Sequence, residues 1–296
     1  MQFSITSCRG CYGACAFCAL AFHQGRIVSG RSKESIVAEA RTLTELKGFK
    51  GYIHDIGGPT ANFRGPACKK QAGGSACVDR RCLVPEPCPS LEVDHREYIG
   101  ILRAVRTLPG VKKAFIRSGI RFDYVMADKN PGFMRELALH HVSGQLKVAP
   151  EHVSDRVLRL MGKPPRRVYD AFARDWSAIN TELGLKQYIV PYFIASHPGA
   201  ELSDAIELAE YLRDCGFVPD QVQDFYPTPG TSPTAMYRTG LNPMTMESVY
   251  VARGAKERSY QRALLQYSKP ENRALVKEAL HLAGRSDLIG RGRSAL

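Results

Sequence analysis

Short β-branched and apolar runs alternate with stretches of helical period along most of the chain. Residues 2–7 read as a first strand. Residues 33–47 then place Ile36, Val37, Ala40, Leu43 and Leu46 along one helical face, with Ser32 positioned to cap the start and Gly48 to end it. Residues 51–56 read as strand two. A helix over 96–108, stopped by Pro109-Gly110, leads to strand three at 112–118, and a helix over 133–141 leads to strand four at 145–149. The face formed by Tyr169, Phe172, Trp176, Ile179 and Leu183 predicts a helix before strand five at 187–195, and a helix over 202–215 precedes strand six at 220–226. Six strand–helix repeats predict an α/β fold with parallel strands and right-handed crossovers. A doubly wound open sheet and an open barrel both fit this order. In either, ligands bind at the carboxyl ends of the strands.

Two regions depart from the repeat. After strand two comes an insertion over residues 60–94 with several prolines (Pro66, Pro85, Pro87, Pro89) and few large apolar residues. It is expected to need a metal rather than a core of its own to organise it. Past residue 242 the alternation ends. Two amphipathic helices are expected, at 255–267 and 272–283, followed by a Gly/Arg/Ser tail expected to fray. The domain reading is therefore 1–242 for the repeat, with 60–94 inside it, and 243–296 for a helical extension.

Charge and cysteine usage narrow the chemistry. The net charge is +12, from 41 basic and 29 acidic residues, and hydrophobic residues make up 44% of the chain. No apolar run is long enough to cross a bilayer, and the first residues lack the basic-then-apolar order of a signal peptide, so a cytoplasmic protein is expected. The extension is basic. Such a surface favours phosphate-bearing partners such as RNA, but no aromatic-interleaved basic motif is present, so a solvated helical face is the simpler reading. Eight of the nine cysteines lie within the first 88 residues. In a reducing compartment this points to metal ligation or catalysis rather than to disulfides. The ninth, Cys215, is expected to be a small packed residue at a helix end.

Strand one runs directly into Cys8-Arg9-Gly10-Cys11-Tyr12-Gly13-Ala14-Cys15-Ala16-Phe17-Cys18. Cys11, Cys15 and Cys18 are spaced Cys-x3-Cys-x2-Cys. Three thiolates on one glycine-containing loop can hold three irons of a [4Fe–4S] cube and leave the fourth open to a small molecule. Gly10 and Gly13 allow the backbone to wrap the cube, and Phe17 supplies an apolar wall. A structural zinc site is the competing reading, with Cys8 or His23 as its fourth ligand. In the insertion, Cys68, Cys77, Cys82 and Cys88 suit either a second iron–sulfur cluster or tetrahedral zinc.

The cysteine loop with its penultimate aromatic resembles the radical S-adenosylmethionine (SAM) superfamily. With His23-Gln24-Gly25-Arg26, Arg31-Ser32, Asp55-Ile56-Gly57-Gly58-Pro59-Thr60-Ala61-Asn62, Lys147-Val148-Ala149-Pro150-Glu151-His152, residues 191–199 and residues 221–230, the chain resembles the YgiQ-like radical SAM proteins over nearly its whole length. The resemblance implies a partial (β/α)6 radical SAM barrel, a [4Fe–4S] cluster and S-adenosyl-L-methionine as cofactors, and reductive cleavage of SAM to a 5′-deoxyadenosyl radical. The family carries a further large N-terminal region absent from these residues, which implies a fragment or a short form.

Within that resemblance, Gly57-Gly58 occupies the place of a Gly-Gly-Glu-like turn that meets the SAM amino group. Pro59 stands where the acidic residue would be, and Asp55 is close enough in sequence to contribute. Ser118 and Arg121 end strand three; Glu151 and His152 end strand four and are candidates for the SAM ribose or carboxylate. Each has a plainer alternative: a simple turn for Gly57-Gly58, a pair with Asp123 for Arg121, and a helix cap for His152. An electron donor such as flavodoxin or ferredoxin is the implied partner. The substrate class is RNA or a small molecule, with Tyr226-Pro227-Thr228-Pro229-Gly230-Thr231 either a substrate loop or a rigid turn. The competing function class is a non-enzymatic iron–sulfur or zinc protein that grips nucleic acid or a protein partner through its basic tail.

Overall fold

The computed structural model describes residues 2–130 and 132–296. The alternation read from the sequence is present, although several strands are shorter than the apolar runs that predict them. In chain order the strands are β1 (Ser4–Thr6), β2 (Cys8–Arg9), β3 (Ser29–Gly30), β4 (Tyr52–Ile53), β5 (Asp55–Gly57), β6 (Lys113–Ala114), β7 (Gln145–Glu151), β8 (Tyr188–Ala195) and β9 (Gln223–Asp224). The helices are α1 (Leu20–His23), α2 (Lys33–Glu45), α3 (Lys69–Ala72), α4 (Arg96–Arg106), α5 (Phe122–Met126), α6 (Gly132–Glu136), α7 (Asp155–Met161), α8 (Arg166–Glu182), α9 (Leu202–Asp214), α10 (Ser232–Thr239), α11 (Ala255–Leu265) and α12 (Arg273–Leu282).

Each predicted strand lies beside the next in sequence. β1 pairs in parallel with β5, Ser4 opposite Asp55, and β4 with β6, Tyr52 opposite Lys113. A parallel bridge joins Ile120 to Val148. β7, β8 and β9 form a three-stranded sheet in that order, with Ile194 parallel to and opposite Gln223. β2 and β3 form a small antiparallel pair around the cysteine loop.

The chain divides into two units. The first comprises residues 1–14, 20–149 and 167–190, the second 15–19, 150–166 and 191–296. In the first, α2 starts as its sequence predicts: the Ser32 hydroxyl accepts a hydrogen bond from Ser35 N at 3.2 Å, and Ile36, Ala40 and Leu43 are buried one turn apart. α4 buries Tyr98, Ile101, Leu102 and Val105, and the Tyr98 hydroxyl donates to the Ile56 carbonyl of β5 at 2.5 Å. The helix expected over 133–141 is two pieces, α6 and a π-helical turn at Leu137–His141. That widened turn lets buried His141 reach the Ala114 carbonyl at 2.7 Å and lets Ile116 N reach the His141 carbonyl at 3.0 Å.

The insertion is better packed than its composition suggests. Phe63, Ala67 and Leu83 are buried in one cluster with Tyr12, Val28 and Tyr124. Phe63 stacks on Tyr12 with ring centroids 3.8 Å apart. A fully buried aromatic contributes about 1.5–3 kcal/mol, so a single such anchor can dock a segment that lacks a core of its own.

In the second unit, small residues on α9 (Ala205, Ala209) admit Ala263 and Leu264 of α11 and Val276, Ala279 and Leu280 of α12. The terminal tail, expected to fray, is instead tied down. Leu288 is buried, Leu296 N donates to the Leu288 carbonyl at 2.9 Å, and Arg213 donates to the Ser294 carbonyl at 2.5 Å. Cys215 is a second correction: at the end of α9 it is exposed, not packed. No described helix is long and apolar enough to cross a membrane.

Candidate functional site

The cysteine loop is shaped by two left-handed residues, Gly10 (φ +84°) and Ala14 (φ +47°). Gly10 is compelled by space as well as by conformation, because a Cβ there would lie 2.3 Å from the Ile27 carbonyl oxygen. Cys11 N donates to the Gly25 carbonyl at 3.0 Å, and Gly10 N to the Gln24 side chain at 3.2 Å. These contacts explain why the His23-Gln24-Gly25-Arg26 stretch accompanies the loop. Tyr12, 1% exposed, anchors it between Phe63 and Tyr124.

Cys11 belongs to the first unit, Cys15 and Cys18 to the second. Cys11 is buried, its sulfur 3.5 Å from the Thr60 hydroxyl. A Cβ on Gly13 would meet the Arg121 guanidinium at 2.7 Å and the Cys11 sulfur at 3.4 Å, so Gly13 is the cradle in which that cation approaches the thiol. Cys15 and Cys18 are joined by a turn, Cys18 N to the Cys15 carbonyl at 3.2 Å, and Ala16 N is held by the Met161 carbonyl at 2.8 Å. Phe17 packs beside Val157, Leu158 and Met161, edge-on to His197 with centroids 6.1 Å apart. Cys8 is a packed thiol: its sulfur lies 3.8 Å from the Thr60 carbonyl, and burial pushes its pKa up.

Among the described residues, no three His, Cys, Asp or Glu side chains are placed as ligands of a single metal ion. The all-thiol donor set, the left-handed wrap and the neighbouring guanidinium fit an iron–sulfur cube.

The first unit's strand ends are tied to each other. The Asp55 carboxylate accepts from Arg117 N at 2.8 Å, from Ser118 N at 3.0 Å and from the Ser118 hydroxyl. Gly57 leaves room for Ser118, whose hydroxyl would be 2.3 Å from a Cβ, and Gly58 leaves room for Cys8, with sulfur at 2.6 Å and carbonyl oxygen at 2.8 Å. Asp55, Gly57, Gly58 and Ser118 thus meet, and the structure shows them closing strand two on strand three. Arg121 grips Asp123 with two hydrogen bonds, 2.7 and 3.0 Å, which is its plainer alternative, while still facing Gly13. Asn62, assigned no role from the sequence, pins this region by exchanging hydrogen bonds with the Arg121 backbone at 2.8 and 3.2 Å.

In the second unit, Glu151 (φ +72°) and Ser196 (φ +59°) are non-glycine residues in the left-handed region, at the ends of β7 and β8 respectively. Strain of this kind persists only where the surroundings impose it, and it gathers at ligand sites. Each is followed by a buried histidine. His152 Nδ1 accepts from Ser154 N at 3.1 Å, which realises its capping alternative, and Glu151 pairs with Lys163 at 3.9 Å. His197 donates from Nδ1 to the Pro198 carbonyl at 2.8 Å, leaving Nε2 as a lone pair that is buried with no partner. Burial drives both imidazoles from 6.5 down to about 4, so both are neutral at pH 7. The extension supports this end of the sheet, with Gln261 of α11 accepting from Ser196 N at 3.0 Å and donating to the Ala200 carbonyl at 2.7 Å. The sequence signal for Ser196 and His197 was the conspicuous 191–199 stretch, but no spacing rule assigned them a role.

The 226–231 turn is rigid. The Thr228 carbonyl accepts from the Thr231 and Thr234 hydroxyls at 2.8 and 2.7 Å at the start of α10, with Tyr226 exposed. In the basic extension Lys256, Arg262 and Arg285 are paired with Glu278, Asp224, and Glu210 and Asp287.

Comparison with known proteins agrees with this picture of the fold. Residues 220–296 match a family model described as a domain of unknown function, DUF3362. A UPF0313 protein of Clostridium perfringens (strain 13 / Type A) is 60% identical over all 296 residues, which cover 45% of that protein. One of Clostridium botulinum (strain 657 / Type Ba4) is 57% identical over the same residues, 46% of its length. The chain thus spans about half the length of the curated relatives it matches. Among solved structures, the cobalamin-dependent SAM radical enzyme OxsB with aqua-cobalamin bound superposes with a TM-score of 0.59 at 11% identity, covering 96% of this chain and 50% of that one. A second OxsB structure, with aqua-cobalamin and SAM bound, gives 0.51 at 15% identity, covering 78% and 28%. At such low identity the likeness concerns the fold. The sequence match is of another order: over all 296 residues the chain is similar to part of the UPF0313 proteins, the YgiQ family.

Proposed function

We propose that this chain carries the core of a radical SAM enzyme, with Cys11, Cys15 and Cys18 as the three protein ligands of a [4Fe–4S] cluster. The observation that carries the reading is the Cys-x3-Cys-x2-Cys loop, which leaves the first strand of a fold whose parallel strands neighbour one another in sequence order. That order supports a partial (β/α)6 barrel over a doubly wound sheet, which would reverse direction at a switch point. When bound, the cluster supplies the electron for reductive cleavage of SAM to a 5′-deoxyadenosyl radical.

The chain's own residues bind and exclude. Gly10 and Ala14 curl the backbone so that its amides can face sulfide, as in other anion-binding nests. Arg121 brings its guanidinium to the side of the loop that Gly13 leaves open. Tyr12, Phe63 and Phe17 keep water from the loop. The Gly57 carbonyl accepts from Ser7 N at 2.7 Å, so half-buried Gly58 is where a ligand amino group can reach backbone past the end of β5, with Asp55 and Ser118 holding that edge in place. Glu151, His152 and His197 supply polar atoms at the ends of β7 and β8. Neutral His197 offers Nε2 as an acceptor to a hydroxyl or ammonium.

The test is anaerobic reconstitution with iron and sulfide, reduction by dithionite, addition of SAM and chromatography for 5′-deoxyadenosine. The wild type should form it and Cys15→Ala should not, with both retaining the same circular dichroism. A wild type that binds iron and sulfide yet yields no 5′-deoxyadenosine would identify a non-enzymatic iron–sulfur protein. Reduction by flavodoxin or ferredoxin in place of dithionite extends the assay to the proposed electron donor.

A further inference from the structure

The insertion gathers four thiols that the first loop does not use. Cys68 precedes α3, and its carbonyl accepts from Ala72 N at 3.0 Å. Two side chains of that helix turn toward sulfur. Lys70 Nζ lies 3.6 Å from the Cys77 sulfur, and Gln71 Nε2 lies 3.6 Å from the Cys82 sulfur. Gln71 is 3% exposed and fixed at its other end by Ala67 N, 2.9 Å from Oε1. Cys88 N donates to the Cys82 carbonyl at 2.9 Å and closes the next loop. From outside the insertion, Arg26 donates to the carbonyls of Cys77 and Arg80 and so fastens the segment between the second and third cysteines.

The four thiols are half-buried and interact electrostatically. Burial is the main cause that pushes the Cys82 thiol up; Arg26 opposes it, and Cys68, Cys88 and Cys77 add to it. Of the four, Cys82 packs at the edge of the aromatic cluster that holds Tyr12 and Phe63.

We propose that Cys68, Cys77, Cys82 and Cys88 hold an iron–sulfur cluster of their own, separate from the loop of Cys11. Four thiolates complete the ligand set of a cube and leave no iron open. The resulting dianion has its counter-charges in Arg26 and Lys70, and Lys70 and Gln71 supply the N–H donors to sulfur that tune such centres. The Lys70 and Gln71 donors to sulfur favour an iron–sulfur cluster over zinc, because such contacts tune a cluster's sulfurs. This site does not rest on the function proposed for the first loop.

The experiment is iron, sulfide and zinc analysis with Mössbauer spectroscopy on anaerobically reconstituted protein. Wild type, the Cys11→Ala/Cys15→Ala/Cys18→Ala variant and the Cys82→Ser/Cys88→Ser variant are compared. The wild type should hold about eight irons per chain and the triple variant about four, with matching sulfide. In the wild type, SAM should shift the signal of the open iron, about one iron in eight, and leave the iron held by the four thiolates unchanged; this second reading stands even if a variant does not fold. A triple variant without iron, one zinc per chain in its place, or a wild type in which all the iron responds to SAM overturns the proposal. Failure of the first-loop reading looks different: wild type and triple variant would hold equal iron, none of it responsive to SAM.

Discussion

Acidification offers the sharpest test of the two strand-end histidines. His152 and His197 are buried, and burial lowers each from 6.5 to about 4 in the folded protein. Beside His152 stand Asp204, which favours protonation, and Arg156, which opposes it; His152 in turn opposes protonation of His197. The unfolded chain takes up protons first, so stability from this source is constant above pH 6.5 and falls as the pH drops from 6.5 toward 4. At pH 5 linkage gives a loss of about 2 kcal/mol per imidazole relative to pH 8, and about 4 kcal/mol for the pair. Urea denaturation at half-unit steps from pH 8 to 5 measures this. His95 and His141 are also lowered by burial, so the quantity to read is the difference between wild type and a His152→Gln/His197→Gln variant. Glutamine keeps an acceptor for Ser154 N and cannot be protonated in this range. The variant should lose about 4 kcal/mol less than the wild type between pH 8 and 5. Parallel curves would refute the reasoning, because they would mean that the two rings reach water in the native state.

Asp55→Ala should cost about 2–4 kcal/mol in urea denaturation, mainly because the half-buried Ser118 N–H and hydroxyl lose their acceptor; a loss below about 0.5 kcal/mol would show that water replaces the carboxylate. Gly58→Ala should cost about 1–3 kcal/mol, since its Cβ would press on the Cys8 sulfur and carbonyl. Gly100→Ala, inside α4 and with open space around the added carbon, should instead stabilise by about 0.5–1 kcal/mol. An equal effect of the two glycine substitutions in thermal melts would contradict the packing at the end of β5.

The helices were the most legible part of the chain. α2, α4, α9, α11 and α12 begin within a residue or so of where periodicity and caps place them, because a helix is held by bonds internal to its own segment. The strands were less legible in extent. In 112–118 the short apolar run Ala114-Phe115-Ile116 reports burial, whereas only Lys113–Ala114 has the ladder geometry of a strand. α5 was not foreseen, since it is short and follows Arg121, whose own reading had claimed the segment, whereas the helix start near Ser154 was read from its place after His152. The Gly57-Gly58 turn was located correctly, but its reason lay in Ser118 and Cys8, which are distant in sequence.

By itself the sequence determined the alternation of strands and helices, the spacing of the three loop thiols and the clustering of four more in the insertion. All of these are local properties, set by side-chain period, capping residues and the short reach of a loop. Tertiary structure alone decided that Gly13 makes room for Arg121, that Asp55 serves a strand edge, and that Ser196 and Glu151 sit strained above buried neutral histidines. Those outcomes depend on which distant backbone comes within a few ångströms, and no period along the chain encodes that approach.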